Sequence, residues 1–155
     1  MQLSWLNARE GTPSPTLEDL DAVGVHYERL EVGTGSAQAS LDALKLARGY
    51  LVQDEVQLTP DMENLEQICD KFKDEHLHTE DEVRFVVDGE GVFEIRAADE
   101  SWLRIFVASG DLLVVPANLY HRFFLTDRSH IHCARLFKDP AGWVAHYRDT
   151  VPAQQ

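Results

Sequence analysis

From residue 76 to residue 137 the chain is cut by turn signals into short runs rich in β-branched, aromatic and leucine residues. This punctuation constrains the fold more than any other feature. Residues 82–87 and 92–96 read as strands joined by the hairpin turn Asp88-Gly89-Glu90-Gly91. Residues 102–107 form a third run, and Ala108-Ser109-Gly110-Asp111 turns the chain into a fourth, 112–115. Pro116-Ala117-Asn118 then bends it into 120–126, and 130–137 is the sixth. Strands this short and closely spaced predict an antiparallel sandwich or barrel.

The segment before this region is mixed. Thr16, with Asp19 three residues on, reads as the N-cap of a helix through residue 23 that Gly24 ends. Residues 37–48 read as a second helix with Leu41, Leu44 and Ala47 on one face and Gly49 after its end. Over residues 50–58, Val52 and Val56 alternate with charged residues as in a strand. Leu65, Ile68, Cys69 and Phe72 fall at the spacing of a buried helix face. A short helix over 141–148 closes the pattern. The expectation is a mainly β fold with peripheral α-helices in one domain, 1–155. Residues 1–49 would be its lead-in, 50–137 its barrel and 138–155 a C-terminal helix and tail. A chain of 155 residues is about one domain long and buries enough surface to fold without a covalent staple.

Charge excludes several partners. Fourteen Lys and Arg against 27 Asp and Glu give −13 at pH 7, and the basic residues are scattered singly. Nucleic acid and anionic membranes are therefore not expected partners. No apolar run approaches the roughly 20 residues of a membrane span. The first residues are polar and lack the basic-then-apolar order of a secretory signal. Cys69 and Cys133 lie far apart without a CxxC pair, which suits a reducing compartment. The reading is a cytoplasmic protein.

The chemistry-bearing stretch is Glu75-His76-Leu77-His78-Thr79-Glu80-Asp81-Glu82. On an extended strand His76, His78 and Glu82 share one face, because side chains alternate with period 2. Two imidazoles and a carboxylate suit divalent iron, nickel, copper or manganese. Such an HxHxxxE spacing arises by chance in roughly one chain of this composition in forty. Gly89 follows at the first turn, and Gly110, Pro116 and His121 form a second spaced pattern, with the histidine at a strand start. Together the two patterns resemble the signature motifs of the cupin superfamily, a double-stranded β-helix (jelly-roll barrel) with a metal inside its mouth. That resemblance implies His76, His78, Glu82 and His121 as metal ligands. Three positions depart from the motifs: Asp70 stands where the first opens with glycine, Asn118 replaces a glycine of the second, and Leu125 replaces a common asparagine. Asn tolerates left-handed backbone, and none of the three removes a ligand.

The run Phe72-x-x-Glu75-His76-x-His78-x-x-Asp81-Glu82-Val83-Arg84-Phe85, then Gly89-x-Gly91-x-Phe93, strongly resembles the acireductone dioxygenase family of methionine salvage. So do Gly110-Asp111-Leu112, Pro116-Ala117, His121-x-Phe123, Arg135-Leu136-Phe137 and Gly142-Trp143-Val144-Ala145. The likeness runs from about Tyr50 to Arg148. It implies one Fe(2+) or Ni(2+) per monomer and cleavage of the enediol acireductone, 1,2-dihydroxy-5-(methylthio)pent-1-en-3-one, by O2. The iron form would give formate and 4-methylthio-2-oxobutanoate, and the nickel form formate, CO and 3-(methylthio)propanoate. Four protein ligands leave two adjacent octahedral positions for a bidentate enediolate. Metal plus one carboxylate carries +1, so a doubly ionised substrate calls for a further cation. Arg84 shares the strand parity of Glu82 and Arg135 lies in an apolar strand, so both are expected to bind and ionise substrate. Phe72, Phe123 and Trp143 match pocket positions of the family and would hold the methylthio tail. Glu75 and Asp81 have opposite parity to the ligands; they either orient imidazoles or assist metal uptake, or are solvated surface charges. His130, His132, His26 and His146 read as strand residues, and both cysteines as inert core thiols. The same four ligands would also serve another cupin oxygenase or isomerase, or a non-catalytic binding cupin, and the sequence leaves metal identity and oligomeric state open beyond the expectation of a monomer.

Overall fold

The computed structural model describes residues 1–6, 8, 10–97, 99–139 and 144–148. Ten strands and three helices run along these residues. They are β1 (Gln2–Leu6), α1 (Leu17–Ala22), β2 (His26–Arg29), α2 (Gly35–Arg48), β3 (Val52–Leu58), α3 (Leu65–Lys73) and β4 (His76–Leu77). There follow β5 (Glu82–Arg96), β6 (Trp102–Ala108), β7 (Asp111–Val115), β8 (His121–Leu125), β9 (Ile131–Phe137) and β10 (His146–Tyr147). All ladders are antiparallel. One sheet runs β1-β6-β5-β8-β4-β10, and the other β2-β7-β5-β9-β3. The two sheets share β5, the arrangement of a cupin-type double-stranded β-helix.

The main core lies between the sheets, where Ile95, Leu103, Ile105, Val107, Leu113 and Val115 are fully buried. Each such side chain contributes about 1.5–3 kcal/mol by leaving water. A second core covers the outside of the β7-β5-β9 sheet. There Ala37, Leu41 and Leu44 of α2 pack on Val83, Phe85, Leu112, Val114 and Leu136. Ala47, expected on that face, is exposed. At α1 the Thr16 N–H donates to the Asp19 carboxylate at 2.8 Å, closing the capping box that the sequence spells. Helix α3 lies against β8 with its apolar face half-buried, and Cys69 remains partly exposed. Among the described residues no helix is long and apolar enough to cross a membrane.

Two expected elements differ. Residues 88–91 are not a hairpin turn: β5 continues through them as one 15-residue strand. Gly89 sits at φ +82° beside a bulge between Val86 and Asp88. Neighbours hold both flanks, the Glu90 N–H donating to the His130 carbonyl at 3.0 Å and the Gly110 N–H to the Val86 carbonyl at 2.8 Å. The Asp-Gly signal therefore bends the strand from one sheet into the other rather than reversing it. The expected helix over 141–148 is also absent where it can be assessed. His146 and Tyr147 form β10 against β4, while 141–143 lie outside the described residues. Strands β1 and β2 join the two sheets, so the lead-in contributes to the barrel itself.

Candidate metal centre

His76 on β4 and His121 on β8 are direct cross-strand partners, so their side chains share one face. The expected single strand face is not how these residues meet: the chain leaves β4 after Leu77, His78 lies just beyond it, and Glu82 opens β5 within the opposing sheet. The turn between β7 and β8 is sewn to the first motif. The Ala117 N–H donates to Asp81 Oδ1 at 2.9 Å and the Asn118 N–H to the His78 carbonyl at 2.8 Å. Asn118 takes φ +67°, the left-handed geometry its side chain tolerates.

The three imidazoles are 1%, 8% and 1% exposed, in order, and their ligand atoms all lie within 4.8 Å of one another. Each Nδ1–H donates to a backbone carbonyl: His76 to Asp74 at 2.7 Å, His78 to Val144 at 3.2 Å and His121 to Leu119 at 2.9 Å. That fixes the tautomer and leaves each Nε2 a lone pair. None of these three buried Nε2 atoms has a hydrogen-bond partner. The Glu82 carboxylate stands 3.5 Å from His78 Nε2 and 3.3 Å from His121 Nε2. Burial alone would raise the Glu82 carboxyl, but Arg84 and His121 beside it hold it well below the usual carboxylate range. Burial, reinforced by His121, pushes His76 down to about 4 and keeps it neutral. His121 is raised despite its burial because Glu82 faces it. Orphaned imidazole nitrogens converging beside an ionised carboxylate fit a divalent cation, which neither a hydrogen-bonded network nor an apolar core would explain.

Two cavities meet here. An inner one of about 80 Å³ is lined by His76, Glu82, Arg84 and Arg135 at one end and by apolar side chains, among them Phe72, Phe123 and Cys133, elsewhere. An outer one of about 240 Å³ has His78, Glu80, Asp81 and Asp139 in its wall beside Leu136 and Phe137, and shares Phe72, Glu82, Arg84 and Arg135 with the first. The Phe72 and Phe123 rings meet edge to face at 6.2 Å. Trp143 lies outside the described residues. Arg84 Nη2 donates to Glu82 Oε1 at 3.2 Å. Arg135 forks onto Asp54, with Nε and Nη2 donating at 2.8 and 2.6 Å. Asp54 is a residue the sequence patterns did not single out; its only signal is the register that faces it to Arg135.

Neither Glu75 nor Asp81 hydrogen-bonds an imidazole. Glu75 accepts from Arg96 at 2.6 and 3.1 Å and from Arg148 at 3.0 Å. Asp81 accepts from the Tyr50 hydroxyl at 2.6 Å as well as from Ala117. Both tie chain segments together, and backbone carbonyls orient the rings instead. Histidines 26, 130 and 132 pair at the surface with Glu28, Asp88 and Glu55. Cys133 is buried, and that burial pushes its thiol up to about 12, so it stays protonated.

A double-sheet β-helix whose inner face aims three imidazoles and a carboxylate at one point is a cupin-type metalloenzyme. Comparison with known proteins narrows the class. Residues 8–145 match the ARD/ARD' family. Acireductone dioxygenase of Heterostelium pallidum is 48% identical over 135 residues, covering 87% of this chain and 91% of that one. The Gallus gallus acireductone dioxygenase is 36% identical over 143 residues, covering 90% and 79%. A solved structure described as acireductone dioxygenase from Bacillus anthracis with cadmium ion in the active center superposes with a TM-score of 0.83 at 27% identity, covering 94% and 97%. The chain belongs to the ARD/ARD' family and is a metal-dependent dioxygenase.

Proposed function

We propose that the chain holds one Fe(2+) or Ni(2+) per monomer through His76, His78 and His121 Nε2 and the Glu82 carboxylate, and that it cleaves acireductone with O2. The observation that carries this reading is the trio of buried, partnerless Nε2 atoms beside Glu82. The bound ion supplies a Lewis-acidic centre at which the enediolate and oxygen are brought together. The protein's residues do the rest. Arg84, 17% exposed and already against Glu82, offsets the charge of a doubly ionised enediol and orients its oxygens. Arg135, held rigid by Asp54, adds a second positive flank at the junction of the cavities. Phe72 and Phe123 exclude water and hold the methylthio tail by sulfur–aromatic contact, with Trp143 expected to join them. Glu75 and Asp81 act by holding β10 and the β7–β8 turn in place around the ligands. Products are formate and 4-methylthio-2-oxobutanoate with iron, and formate, CO and 3-(methylthio)propanoate with nickel. The enzyme works as a cytoplasmic monomer in methionine salvage, with no nucleic-acid or membrane partner.

Metal analysis of the purified protein, joined to product identification from enediol and O2, tests this. Formate without CO is expected from the iron form, and His121→Ala should lose tight metal binding. Unchanged metal content in that variant refutes the ligand set. Metal binding without any O2 consumption would favour a non-catalytic binding cupin.

A further inference from the structure

Strand register builds the inner cavity in layers. On β9, Arg135, Cys133 and Ile131 project to one face at two-residue intervals, and β3 sets Asp54, Val56 and Leu58 opposite them in the same order. A strand rise of about 3.3 Å per residue separates successive layers by about 7 Å. The first layer is polar: the Arg135–Asp54 pair, with Arg84 the register partner of Arg135 on β5. The second, Val56 and Cys133, and the third, Leu58 and Ile131, are apolar and line the inner cavity without reaching the outer one.

This order measures length. With the enediol head fixed between Glu82 and the arginine layer, a tail enters along the β3–β9 face. The four tail atoms beyond the carbonyl of acireductone extend about 5 Å at bond lengths near 1.5 Å. They end at the layer of Val56 and Cys133, short of Leu58 and Ile131. We propose that these two layers form a ruler for the substrate tail, with Cys133 setting the preferred length and Ile131 closing the far end. The cavity of about 80 Å³ leaves little room for a longer chain. A buried, protonated thiol suits this place because it is small and apolar enough to line the wall. The proposal rests on the enediol reading above and specifies which enediols are taken.

The test is a series of enediols with unbranched alkyl tails from ethyl to octyl, beside the methylthioethyl compound. Each is assayed with the metal-loaded parent, Cys133→Leu, Cys133→Ala and Ile131→Ala, with metal content measured throughout. The parent should peak at tails of four atoms or close to it. Cys133→Leu should move the peak to shorter tails and lower kcat/KM for the four-atom tail about 10-fold, with metal content kept. Ile131→Ala should raise kcat/KM about 10-fold for tails two carbons longer. If Cys133→Leu fails to load metal, the two alanine variants carry the comparison. An unchanged length profile in metal-replete variants overturns the ruler. Absence of O2 consumption with every tail overturns the enediol reaction instead. Anaerobic dissociation constants for the same series then judge the ruler alone, and affinities indifferent to tail length overturn it.

Discussion

Replacing His76 with leucine separates what the imidazole does for the fold from what it does for an ion. His76 is 1% exposed and no protein group hydrogen-bonds its Nε2. A buried polar atom left unpaired costs about 1–3 kcal/mol, and the single Nδ1 bond to the Asp74 carbonyl returns about 1 kcal/mol. Leucine should therefore leave the stripped protein as stable as the parent or up to about 2 kcal/mol more stable. The pH dependence has a definite sign. His76 is held at about 4 in the fold, against 6.5 ordinarily, so between these values the unfolded chain binds the proton and the native site does not. The stripped parent thus loses stability as pH falls from about 6.5 to about 4, by about 3 kcal/mol from this group, and the variant lacks that loss. Metal reverses the comparison. At free metal 1,000-fold above Kd the parent gains about 4 kcal/mol, or roughly 8–16 °C in Tm for a chain of this size. Losing one ligand of four should weaken binding at least about 100-fold and shrink that rise to less than half. Thermal melts of stripped protein between pH 4 and 8, and of loaded protein near neutral pH, measure both effects. An equal metal-induced rise in the variant, or a stripped variant several kcal/mol weaker, would refute the assignment of His76 as a ligand position.

Other substitutions probe the surrounding shape. A Cβ at Gly91 would lie 2.7 Å from a Phe123 ring carbon and 3.2 Å from Ile131 Cδ1. Gly91→Ala should push both side chains into the inner cavity, destabilise by about 1–3 kcal/mol in denaturant melts and raise KM while metal content holds. At Gly89 a Cβ would come within 2.3 Å of the His130 carbonyl oxygen on a backbone already at φ +82°. Gly89→Ala should accordingly cost more than about 2 kcal/mol, and a midpoint equal to the parent's would contradict the bulge geometry. Arg84→Gln should cut kcat/KM at least about 100-fold at unchanged iron or nickel content, since the positive flank beside Glu82 is lost. Steady-state kinetics on the loaded variant decide this, and near-parental rates would remove Arg84 from the substrate's surroundings.

What could be read in advance was whatever local periodicity encodes. The ligand candidates themselves, the shared face of Glu82 and Arg84 on β5, the cap at Thr16, most of the helix faces of α2 and α3 and most barrel strands all follow from residues a few positions apart. The single strand face expected for His76, His78 and Glu82 does not form, because the chain leaves β4 after Leu77 and crosses to the opposing sheet at Glu82. Strands β1 and β2 carry too little alternation to announce themselves; their pairing comes from the edges offered by β6 and β7. The partners of Arg135, Glu75 and Asp81 were equally hidden, because Asp54, Arg96, Arg148 and Tyr50 lie 21 to 81 positions away. The misread turn at Asp88-Gly89 is the most instructive case. Asp-Gly serves a reversal and a bulge equally well, and only burial on both sides chooses between them. Val83, Phe85 and Val86 before it and Phe93 and Ile95 after it are all at most 4% exposed, so the chain gains more by running on through both sheets. That continuity builds the centre. Glu82 at the start of β5 pairs with β7 in one sheet, and Ile95 near its end pairs with His121 in the other. A hairpin at Gly89 would have folded β5 back upon itself within one sheet, whereas the bend carries the carboxylate across to face the imidazoles.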